Sequence, residues 1–196
     1  MTAEAGTPTT VRRIDGQEAS ALAAQAAVFE DLQYVLRCCE GLVSALAHPQ
    51  PDTALVEALW TGALVGYARC FSARQAILTK EDLAELKLDG DIGEFHGMTL
   101  KLRDHYASRH TNPREQYTVG VAQNNDGKPN GVAITSTPRP LVDDTTVRLL
   151  GRVTYALSGL LDVRIQKSQN DVLGAAEKLS PTDLAKLPLV HLSAEA

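Results

Sequence analysis

The sequence predicts a mainly α-helical bundle with one β-hairpin inserted before its last long helix. Three observations carry this reading. Apolar residues recur in steps of three and four along four long segments, the period of an amphipathic helix. Over residues 117–137 the period changes to two, as in a pair of strands. Capping residues, prolines and glycines fall between these segments. Of the 196 residues 44% are hydrophobic but only 5% aromatic, so the core has to be built mostly from Leu, Val and Ala.

Residues 1–14 read as a mobile arm, small and polar, with Pro8 and a Thr cluster. Asp15-Gly16-Gln17-Glu18 has the form of a capping box and opens a helix that runs to about Ala47. Phe29, Leu32, Leu36, Cys39, Val43 and Leu46 form one narrow apolar stripe on it, of the kind found in bundles and dimer seams. His48-Pro49-Gln50-Pro51 ends it, because proline cannot continue the backbone ladder. Asp52 caps a second helix, about 53–72, whose broad face of Val56, Leu59, Trp60, Ala63, Leu64, Tyr67 and Phe71 marks it as central. Gly62 and Gly66 share one side of it and predict close approach of a neighbouring helix. Thr79 caps a short helix near 80–87. A further helix, about 91–108, carries Phe95, Met98, Leu102 and Tyr106 on its buried side and stops near Asn112-Pro113. Tyr117–Ala122 and Val132–Thr137 then flank a long polar tip, 123–131, read as mobile. Asp143 or Asp144 caps a last long helix, about 145–177, with Val147, Leu150, Thr154 or Tyr155, Leu157, Leu161 and Ile165 inside. Ser180-Pro181 opens one more short helix, with proline at its favoured first position. Residues 15–196 are read as a single helical-bundle domain.

A net charge of −5 argues against coating nucleic acid through bulk electrostatics. Three cysteines, two of them adjacent at Cys38 and Cys39, suit neither a disulfide framework nor a zinc site. They are read as reduced packing residues, which agrees with a cytoplasmic location. No apolar run approaches the roughly 20 residues of a membrane span, and MTAEAGTPTTVRR is not read as a secretory signal.

Most catalytic templates are absent: there is no H-E-x-x-H, C-x-x-C, G-x-S-x-G or G-x-G-x-x-G. Gly127-Lys128 is no phosphate loop, since Pro129 follows it. No cofactor and no metal are expected. One constellation remains. His96, Arg103 and His110 are spaced by seven, and each such step turns a helical side chain by only about 20°. A fixed cation beside a group titrating near neutrality suits metal-independent RNA cleavage, with His110 as acid or base and Arg103 holding the phosphate. The plainer reading of the same residues is favoured. His96 is then an exposed helix residue, Arg103 and Asp104 form a surface ion pair, and Arg109 and His110 decorate the last turn, where cations suit the helix dipole.

The segment Leu102-Arg103-Asp104-His105-Tyr106-Ala107-Ser108-Arg109-His110-Thr111-Asn112-Pro113 resembles the motif region of HEPN-type proteins, small helical bundles of prokaryotic toxin–antitoxin and defence modules. Their signature is an arginine, often a polar residue after it, a short gap and a histidine at the end of a helix. Arg103, Asp104 and His110 match those positions. Ala58 to Ser72 also resembles a helix of one such subgroup, so the resemblance spans roughly residues 55–120. Where relatives carry Ala-His-Ser-x-Asn after the arginine, this chain has Ala-Ser-Arg-His-Thr-Asn. Aligned on Asn112-Pro113, Arg109 takes the histidine's place and His110 is displaced by one, a turn of about 100° on a helix.

The resemblance implies a homodimer and a neighbouring gene for a nucleotidyltransferase-like partner, with the helical protein either the toxin or its neutraliser. The displaced histidine favours the second role: a non-catalytic, antitoxin-like dimeric subunit. The alternative is a metal-independent endoribonuclease using Arg103 and His110. In either case His96, Asp104, Arg109 and Arg114 are the candidate RNA- or partner-binding residues, and the hairpin tip is a candidate recognition element. A structural bundle that touches no nucleic acid is a third, weaker reading.

Overall fold

The computed structural model describes residues 10–71, 77–107 and 112–190. In chain order the elements are α1 (Gln17–Leu46), α2 (Thr53–Cys70), α3 (Lys80–Glu85), α4 (Ile92–Ala107), β1 (Glu115–Gln123), β2 (Pro129–Pro138), α5 (Asp144–Ala176) and α6 (Pro181–Lys186). The protein is therefore mainly helical, with a two-stranded antiparallel hairpin before the last long helix. No described helix is long and apolar enough to cross a membrane.

The helix starts follow local hydrogen bonding. One Asp52 carboxylate oxygen accepts from the N–H groups of Ala54 and Leu55, at 3.0 and 3.2 Å. Asp143, rather than Asp144, caps α5 by accepting from the Thr146 N–H at 2.9 Å and its hydroxyl at 2.7 Å. Ser180 caps α6 ahead of Pro181, and Asp82 accepts from the Thr79 N–H at the start of α3. Asp15 departs from expectation. Its carboxylate is held by the Arg13 guanidinium at 3.0 Å, and the helix begins after Gly16, whose φ of 140° is open to glycine.

The chain's contacts gather into two compact units. The first comprises Met1–Phe29 and Leu160–Ala196. Within it, residues 11–13 of the predicted arm run beside 188–190. Arg13 N–H donates to Pro188 O, Val190 N–H to Val11 O, and the Arg12 guanidinium to Leu187 O.

The second unit, Glu30–Gly159, holds the helical core and the hairpin. The face of α2 made by Val56, Trp60, Ala63, Leu64, Tyr67 and Cys70 is buried, which makes it the central helix that its apolar face predicts. Gly62 and Gly66 are where α1 comes close. A Cβ added at Gly66 would lie 2.9 Å from a Val35 methyl, and one at Gly62 would lie 2.7 Å from the Tyr34 hydroxyl. From α1, Leu32, Val35, Cys38, Cys39 and Leu42 enter this core. From α5 come Val147, Leu150, Val153, Thr154 and Leu157. Thr154 settles the open choice on α5: it is buried, while Tyr155 points to solvent. All three cysteines are buried free thiols, and burial pushes Cys39 and Cys70 up to about 12, which keeps them protonated and inert.

The hairpin is longer than its sequence suggests. Its register pairs Tyr117 with Ser136, Val119 with Ile134 and Val121 with Val132, with an irregularity at Ala122/Gln123. The tip, read from the sequence as mobile, has the geometry of a closed turn. Asn124 Oδ1 accepts from the N–H groups of Asp126 and Lys128, Gly127 N–H donates to Asn124 O, and Gly127 adopts φ of 76°. Asparagine's side chain mimics a backbone turn, and glycine relieves the left-handed position.

Candidate functional site

Helix α4 carries three of the six predicted site residues, His96, Arg103 and Asp104, and its inner face is rotated from the predicted one. Ile92, Phe95, His96 and Thr99 are buried, whereas Met98 is exposed. His96 is thus not the exposed helix residue that the plain reading expected; it is 2% exposed. The reason lies on α2. His96 Nδ1 shares a 3.0 Å hydrogen bond with the Tyr67 hydroxyl, and its ring meets Phe71 edge-on at a centroid distance of 4.5 Å. Aromatic edges and one hydrogen bond make an acceptable interior for a neutral imidazole.

Burial pushes His96 below the usual histidine range, and the nearby Lys80 adds to this. Its consequence for stability has a definite sign. Above the unfolded pKa of about 6.5 both states are neutral and the native packing is fully present. Below it the unfolded chain takes a proton that the folded chain resists, so stability falls as pH drops toward the depressed native value. The thermal midpoint is therefore expected to decline between about pH 7 and pH 5. His96→Leu should flatten that decline, and equal slopes in the two proteins would contradict the role given to His96.

Arg103 lies further along α4, half-exposed, with Nε 2.9 Å from the carboxylate of its neighbour Asp104. The geometry is not that of a directed hydrogen bond, so charge alone holds the pair. This is the surface ion pair of the plain reading. Arg109 and His110 lie outside the described residues.

Arg114, at the root of the hairpin, reaches back 57 residues in sequence. Its guanidinium grips Glu57 of α2 with two contacts, Nε at 2.8 Å and Nη2 at 2.6 Å. Such a fork is the strong form of this pair and anchors the hairpin to α2. Beside it is a cavity of about 300 Å³, lined by Trp60, Glu57, Tyr106, Glu115, Arg139 and Leu141 among others. Burial raises the Tyr106 phenol above its ordinary value, with the Glu57 charge adding to this. One Glu115 carboxylate oxygen is buried without a hydrogen-bond partner. Two carboxylates and two guanidinium groups balance here, which suits holding the hairpin root more than acid–base chemistry. Among the described residues no group of three His, Cys, Asp or Glu could hold a metal ion.

The most unusual surface is the hairpin itself. Tyr117, Val119 and Val121 of β1 and Val132 and Ile134 of β2 share one face by the period-two rule and the observed register. All five are between 58% and 71% exposed. The opposite face bears Gln116, Thr118, Gly120, Ala133, Thr135 and Thr137, small or polar throughout. The recognition element expected from the sequence is the tip, whereas this face lies along the strands. Its signal was present in the alternation, since a one-sided apolar strand pair needs something to cover it.

The chain matches no family model, no curated protein and no solved structure.

Proposed function

We propose that this protein is a non-catalytic helical subunit of the toxin–antitoxin type, which binds and neutralises a nucleotidyltransferase-like enzyme encoded beside it. The observation that carries the reading is the exposed apolar face of the hairpin. Two-stranded hairpins are at best marginally stable alone in water, and contiguous exposed apolar patches mark interaction surfaces. The turn at Asn124–Lys128 and the Arg114–Glu57 fork hold this face in shape at both ends. A face whose strands are already paired in register needs less ordering when it binds a protein. The nature of the partner comes from the HEPN resemblance alone.

Coexpression with the product of the adjacent reading frame, followed by copurification, tests the proposal. The expected result is a stoichiometric complex in which the enzyme's activity is blocked. A chain that ignores that neighbour at roughly micromolar concentration, where a specific interface should hold, overturns it.

One observation favours the second reading, a metal-independent endoribonuclease using Arg103 and His110. Arg103 is half-exposed on α4, where its guanidinium can meet a phosphate in exchange for the carboxylate of exposed Asp104. EDTA-resistant RNA cleavage, lost in Arg103→Ala and in His110→Ala, is what that reading requires. Cleavage that persists in both variants excludes it.

A further inference from the structure

A second apolar surface lies on the helices of the same compact unit. Leu36, Cys39 and Val43 of α1 and Val147 and Gly151 of α5 line a groove of about 490 Å³. It comes from the stripe that the sequence marks as a bundle or dimer seam. The bundle uses only part of that stripe: Leu32 and Cys39 are buried, while Leu36 and Val43 stay half-exposed. They are seven residues apart, two turns on one edge of the helix.

Gly151 keeps the floor low. A Cβ there would sit 3.7 Å from the Cys39 Cβ, an ordinary contact. Close approach of α1 to α5 therefore does not demand glycine, and its effect is to leave room for a side chain from outside.

Charge frames the groove with opposite signs on its two rims. Glu40 stands on the α1 side, and Arg148 and Arg152 on the α5 side. Arg148 is occupied by Asp144 one turn earlier, at 2.6 Å. Glu40 and Arg152 are exposed and carry no ion pair among the described residues. An apolar floor with one acidic and one basic rim is complementary to itself under a two-fold rotation.

We propose that a second copy of this chain occupies the groove, with Leu36 and Val43 of each copy entering beside Gly151 of the other and Glu40 of each meeting the second copy's Arg152. The inference rests on the groove and its charged rims and stands apart from the proposed function: the enzyme partner plays no part, and the hairpins stay free. Dissociation in roughly the micromolar range is expected, the weak end for a specific interface between two copies.

Sedimentation of the full chain alone, across about 1–200 µM, reads the proposal without any partner, over the range where such an interface dissociates. The chain should pass from monomer to dimer in that range. Glu40→Arg and Arg152→Glu should each raise the dissociation constant about tenfold or more, because the two-fold axis places each like-charged contact twice. The doubly exchanged protein, Glu40→Arg with Arg152→Glu, should return to within about threefold of the parent, since the pairing is restored. Both positions are exposed, so helical content by circular dichroism should be unchanged in all three variants. A chain that stays monomeric throughout, a dimer indifferent to both single changes, or a double variant that fails to recover overturns the proposal. If the parent stays monomeric yet still binds its enzyme partner, the groove assignment fails and the proposed function stands.

Discussion

Val119→Glu combined with Ile134→Lys is expected to weaken partner binding by about a hundredfold or more, with the fold intact. The two residues face each other across the strands at the middle of the exposed apolar face. Covering each side chain would contribute roughly 1–2 kcal/mol. Charges placed at the centre of a desolvated patch add a penalty of similar size. Together they exceed about 3 kcal/mol, which is the hundredfold. Opposite charges were chosen because they tolerate a cross-strand position, whereas like charges would repel. Both side chains are at least 69% exposed, so the thermal midpoint should move by no more than about 2 °C. Titration of the copurified enzyme partner with the parent and the double variant measures the effect. Lys128→Ala at the tip serves as the comparison and should bind like the parent. Equal affinity in the double variant would remove the hairpin face from the interface.

Tyr67→Ala is expected to cause the largest loss of stability of the changes considered, about 4 kcal/mol. Its ring is fully buried, packs against Phe71 at a centroid distance of 5.1 Å, and bonds His96. For a chain of this size the midpoint should fall by roughly 10–15 °C. Tyr67→Phe separates ring from hydroxyl. It keeps the packing and leaves His96 Nδ1 without its partner, at a cost of about 1–2 kcal/mol. Adding His96→Phe to Tyr67→Phe removes the remaining polar atom and should recover part of that loss, because replacing both partners with apolar groups avoids an orphan. Thermal melts of the three variants check this. A fall of less than about 3 °C in Tyr67→Ala would mean that α2 is not the centre of the core.

Helix starts at Asp52, Thr79, Asp143 and Ser180 were legible because a cap is a bond between residues two or three apart. The same locality explains Asp15. Arg13, two residues earlier, competes for its carboxylate, and spacing alone does not rank two local partners. The Gly62–Gly66 pair was legible as a close approach, since bare positions on one side of a helix admit a neighbour. The face of α4 was not. Stripes through Met98 and through His96 both satisfy a helical period, and α2 chose between them by offering Tyr67 and Phe71 to an imidazole.

The sequence by itself determined the kind and order of the elements: long amphipathic helices, one strand pair before the last of them, and prolines and caps at their ends. These depend on backbone preference and apolar period, which act over a few residues. Tertiary structure alone decided that His96 is an interior group, that Arg114 is committed to Glu57, and that the hairpin's apolar face and the groove between α1 and α5 are left open. Each of those rests on which distant side chain arrives, or fails to arrive, within bonding distance, and neither period nor composition encodes that.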